Sequence, residues 1–92
     1  MSASSEATVS RTVLIPFGVD LHARPAGQLV RAAAAQSTRV FLRANDREAD
    51  AASILQVLAL GATSGTAVVV EANGEAAEAA VEAIAGLLAS LA

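Results

Sequence analysis

Ninety-two residues, 54% hydrophobic and with a formal charge of −3, fit one domain with a modest core. The absence of cysteine excludes disulfides, thiolate chemistry and cysteine-ligated metals, and a lone histidine argues against a transition-metal centre. The six basic residues are all arginine and are scattered, and only Phe17 and Phe41 are aromatic, so neither the charge footprint nor the stacking surface for nucleic acid is present. No apolar run approaches the roughly 18 residues of a membrane span. The start, MSASSEA, lacks the basic and apolar regions of a secretion signal. The expectation is a cytoplasmic monomer that needs no cofactor and does not insert into membranes.

Residues 1–8 are small and polar and are expected to form a flexible tail before a domain over 9–92. SRTVLIP, 10–16, is β-branched and ends at a proline, which predicts a strand. FGVD reads as a loop. Ala26, Leu29, Val30 and Ala33 recur at i, i+3, i+4 and i+7, which predicts a helix over 23–35. Pro25 falls in its first turn, where a missing N–H costs little, although a residue before proline, here Arg24, resists the helical region. TRVFLR, 38–43, alternates, with Val40 and Leu42 on one face and Arg39, Phe41 and Arg43 on the other. Asn45-Asp46 suits a hairpin turn into a weak strand at 47–51.

SILQVLAL, 53–60, predicts a short helix capped by Ser53 and stopped by Gly61. TAVVVEA, 66–72, is the most apolar strand and belongs in the centre of the sheet. Beyond Asn73-Gly74, Ala77, Val81, Ile84, Leu88 and Leu91 mark one face of a helix over 75–91, with Glu75 and Glu78 in its first turn. The order β-α-β-β-α-β-α predicts an α+β open-faced sandwich: a four-stranded antiparallel sheet with three helices on one face.

The only histidine sits in the stretch D-L-H-A-R-P-A-G, residues 20–27. Placed at the helix N-cap, His22 stands beside free N–H groups of the first turn and the positive end of the helix dipole. Arg24 adds a fixed positive charge. Such a helix start suits an anion, with phosphate the natural guest. Imidazole is a good nucleophile and can be phosphorylated, and these surroundings stabilise the charge it then carries. The second helix carries Ile54, Leu55, Val57, Leu58 and Leu60 almost all round, yet a helix on a sheet buries one stripe. Ile54, Leu55 and Leu58 are expected to stay exposed as a partner surface. Gly27, inside a helix, points either to close approach of another surface or to tight packing within the domain.

Leu21-His22-Ala23-Arg24-Pro25-Ala26 resembles the active-site motif of HPr, the histidine-containing phosphocarrier of the phosphoenolpyruvate-dependent sugar phosphotransferase system. A second landmark, Ser53-Ile54-Leu55 followed by Leu60-Gly61, also matches, and the similarity spans roughly residues 9–91. The resemblance implies that His22 accepts a phosphoryl group on Nδ1 from phospho-enzyme I and passes it to a IIA protein or domain. The protein would then be a carrier and not an enzyme. Arg24 and the N–H groups of Ala23 and Arg24 would steady the phosphoryl group, and Pro25 would shape the helix start. Partners would dock on Gly27, Arg31, Ile54, Leu55 and Leu58. Ser53 matches a serine that a kinase modifies in some members, although Ala51 and Ala52 replace the lysine often found before it, and an ordinary N-cap is the other reading.

Asp20 departs from the family's usual glycine. There it would oppose the phosphorylated state by like charge, or pair with Arg24 or a helix N–H group. A regulatory small-molecule-binding domain remains a rival reading. Within the carrier reading, the sequence leaves open sugar uptake, a nitrogen-linked branch or a dihydroxyacetone branch.

Overall fold

The computed structural model describes residues 7–91. Its elements are β1 (Thr8–Leu14), α1 (Ala23–Ala34), β2 (Val40–Ala44), β3 (Arg47–Asp50), α2 (Ile54–Ala59), β4 (Ala67–Asn73) and α3 (Ala77–Ala89). The four strands form one sheet in the order β1-β4-β2-β3, every neighbouring pair antiparallel. The most apolar strand, β4, lies between β1 and β2 as its composition predicts.

Alternation along the strands decides which face the helices cover. Val40, Leu42 and Ala44 of β2, and Val68, Val70 and Ala72 of β4, are buried on the helix side. Phe41 and Arg43 point the other way, where Arg43 pairs with Glu71 of β4. Helix α1 buries Ala26, Leu29 and Ala33, while Val30 is half-buried against the core. Helix α3 contributes Ala77, Val81, Ile84 and Leu88. A fully buried leucine or valine contributes about 1.5–3 kcal/mol relative to exposure. The sheet and these stripes therefore account for most of what holds α1 and α3 in place.

Element boundaries differ from the sequence reading by at most two residues, and two of the differences have clear causes. Strand β1 begins at Thr8, inside the expected tail, because pairing with β4 reaches Asn73 and the Thr8 hydroxyl donates to the Asn73 Oδ1 at 2.7 Å. Residues 1–6 of that tail lie outside the described residues. Helix α3 starts at Ala77, so Glu75 falls in the preceding turn and Glu78 alone is the acid of the first turn. Gly74, in the left-handed region at φ 93°, and a turn closed from the Ala77 N–H to the Gly74 carbonyl reorient the chain before the helix can begin.

Candidate functional site

His22 is the N-cap of α1, with extended backbone (φ −102°, ψ −161°), and its side chain makes no capping bond. Its carbonyl accepts from the Ala26 N–H at 2.9 Å, the first bond of the helix. Its own N–H donates to the Asp20 carbonyl at 2.8 Å. Leu21 fixes which way the chain faces. It is buried, and its N–H donates to the Ala62 carbonyl at 3.0 Å, anchoring the residue before the histidine to the segment leading into β4. Leu21 and Ala26 are both buried at the spacing of a hydrophobic staple. With Leu21 held inward, His22, Ala23 and Arg24 are exposed.

The first turn leaves a defined set of donors. Among the described residues, the Ala23 and Arg24 N–H groups have no acceptor, and Pro25 has no N–H to offer. Two N–H groups therefore remain free beside the imidazole, at the positive end of the dipole of a twelve-residue helix. Pro25 sits at the third helical position, so the residue four before it, Leu21, is not helical and no helical carbonyl is displaced; Arg24 is helical although it precedes a proline. Among the described residues, neither Arg24 nor Arg31 is paired with a carboxylate, whereas Arg11, Arg39 and Arg43 all are.

Gly27 has no tight neighbour. A Cβ built there would meet only the Arg31 side chain, at 3.7 Å, so packing within the domain does not demand a glycine. Helix α2 leaves Leu55 78% exposed and Ile54 and Leu58 each 38% exposed, while Val57 and Leu60 are buried. Both ends of this short helix are braced. The Ser53 Oγ accepts from the Gln56 N–H at 3.3 Å. At the other end the Asn45 amide donates to the carbonyls of Leu60 (2.8 Å) and Gly61 (3.2 Å), and the Arg47 guanidinium donates to that of Ala59 (2.7 Å). Asn45 can reach there because it and Asp46 both adopt positive φ in the tight turn joining β2 to β3.

Asp20 does not make the pairing its position suggested. Its carboxylate pairs neither with Arg24 nor with a helix N–H group, and instead accepts from the Ser64 N–H at 3.2 Å. The Ser64 hydroxyl accepts in turn from the Gly18 N–H at 2.9 Å. Sequence reasoning gave no hint of Ser64, which lies 44 residues away with no periodic signal. It also did not single out Phe17, 99% exposed at the tip of a turn closed by the Val19 N–H and the Pro16 carbonyl.

Comparison with known proteins agrees with this geometry. Residues 9–90 match the family model described as the PTS HPr component phosphorylation site. The chain is 44% identical over 80 residues to the phosphocarrier protein HPr of Streptomyces coelicolor, covering 86% of each. Its fold resembles that of HPr from Thermoanaerobacter tengcongensis with TM-score 0.82 and 30% identity, over 89% of this chain and 92% of the other. HPr from Bacillus anthracis gives 0.83 and 28%, over 89% and 98%. The lone histidine at an open helix start, the sheet beneath it and these relatives lead to one conclusion: the chain belongs to the HPr family, the phosphocarriers of the phosphotransferase system.

Proposed function

We propose that His22 is the residue that carries the phosphoryl group, received from phospho-enzyme I and delivered to a IIA protein or domain. The observation that carries this reading is an exposed imidazole beside two free N–H groups at the start of α1. In the first transfer the Nδ1 lone pair of neutral His22 attacks phosphorus, and the bond from phosphorus to the donor breaks with its electron pair returning to the donor. The second transfer reverses these roles, with His22 leaving as neutral imidazole. No step adds or removes electrons, so none requires a redox partner or cofactor.

The surroundings act on charge. The transferred group and the transition state place negative charge beside the N–H groups of Ala23 and Arg24 and within the field of the Arg24 guanidinium. Donors already fixed by the fold stabilise that charge without reorganising. The chain holds no second histidine and no cysteine, so a histidine relay within it is excluded. It acts as a carrier between partners, as a cytoplasmic monomer. Among the described residues no helix is long and apolar enough to cross a membrane.

Docking uses the exposed face around Gly27 and Arg31 of α1 and Ile54, Leu55 and Leu58 of α2. Ser53 lies at its edge, and a phosphate there would add negative charge next to Ile54 and Leu55. Incubation with phosphoenolpyruvate and enzyme I tests the reading. The parent chain takes up an acid-labile, base-stable phosphate and His22→Ala takes up none. Phosphate uptake by His22→Ala would overturn the assignment.

A further inference from the structure

We infer that Asp20 is a positioning residue for phosphoryl transfer, tying the backbone of His22 to the turn at Ser64-Gly65. The inference rests on His22 being the phosphorylated group. Asp20 makes two bonds, one to that backbone and one to the turn. Its carbonyl accepts from the His22 N–H at 2.8 Å, and its carboxylate accepts from the Ser64 N–H at 3.2 Å. Two further bonds cross the same gap: Gly18 N–H to Ser64 Oγ at 2.9 Å and Leu21 N–H to the Ala62 carbonyl at 3.0 Å. Segment 18–22 is thus held at three points by residues 62–64, and Asp20 is the one member of that segment whose side chain makes a tie.

Its backbone φ is not positive, so the position does not require glycine for conformational reasons. The carboxylate is exposed, and nothing in the core depends on it. Holding this segment fixes His22 in the extended conformation that opens α1, and with it the place from which the side chain leaves the backbone relative to the Ala23 and Arg24 N–H groups. Orientation fixed before the partner arrives does not have to be acquired in the transition state.

Charge and positioning are separated by two variants that are both neutral. The amide oxygen of Asp20→Asn still accepts from the Ser64 N–H, while Asp20→Ala offers no acceptor. The rate of phosphoryl uptake from phospho-enzyme I is expected to be about three- to tenfold lower for Asp20→Ala than for Asp20→Asn, the range a single lost hydrogen bond supplies. Hydrogen exchange at the Ser64 amide is expected to quicken in Asp20→Ala and not in Asp20→Asn, with equal melting temperatures. Equal uptake rates for the two variants would overturn the proposal while leaving His22 as the acceptor. If the parent chain takes up no phosphate at all, the carrier reading and this proposal fall together.

Discussion

Arg24, like Arg31, has neither a carboxylate nor a carbonyl partner among the described residues, and that makes its role separable from stability. Arg11 is held by Glu78 and Glu82, Arg39 by Asp50, Arg43 by Glu71, and Arg47 by the Ala59 carbonyl. Replacing Arg24 with alanine removes charge near the proposed phosphoryl site and no contact that the fold uses. Arg24→Ala is therefore expected to slow phosphoryl uptake about tenfold, the scale of one charge-assisted hydrogen bond. Its thermal midpoint should match the parent's. A lowered midpoint with normal uptake would reverse the assignment. At this scale the sequence was informative where an argument needed only near neighbours. His22 as N-cap and Pro25 in the first turn could be read from the order of residues. The partner of Asp20 could not, because a carboxylate beside a histidine says nothing of a backbone N–H that the fold delivers from residue 64.

Helix α2 shows how an element can be short and still fixed. Six residues are too few to be stable as an isolated helix. The Ser53 cap, the amide of Asn45 and the guanidinium of Arg47 satisfy groups at its two ends, and Val57 is buried beneath it. Bracing of this kind lets the helix keep Leu55 out of the core. Leu55→Glu is expected to weaken binding of both phosphoryl donor and acceptor at least tenfold, since a charge in a desolvated contact costs more than about 1.4 kcal/mol. Titration calorimetry measures the loss, and an unchanged circular dichroism melt shows that the fold is intact. Unchanged affinity for both partners would remove α2 from the docking face. The excess of apolar residues over one stripe made the exposed face legible. The Ser53 cap was legible, but the braces from Asn45 and Arg47 were not, because those two residues read locally as turn and weak-strand residues.

The whole molecule rests on apolar burial with little help from surface charge, and this is why its topology could be read from periodicity. Alternation in β2 and the spacing in α1 and α3 each named the face that the structure buries. Long-range pairing set what periodicity could not, such as the start of β1 at Thr8 opposite Asn73. Leu42→Ala, at a fully buried site on β2, is expected to cost about 2–5 kcal/mol, a large share of the 5–15 kcal/mol typical of a domain. Arg11→Ala, which breaks two exposed ion pairs to α3, is expected to cost about 1 kcal/mol or less. Urea melts of the two variants check the order, and a larger loss for Arg11→Ala would contradict it. The proposed centre of this architecture is one imidazole, exposed at an open helix start and carrying the phosphoryl group. Nuclear magnetic resonance of the phosphorylated chain, with nitrogen-15 in histidine, tests that most directly. A phosphorus–nitrogen coupling at Nδ1 of His22 is the predicted result, and phosphate on the chain without any coupling to a ring nitrogen of His22 would contradict it.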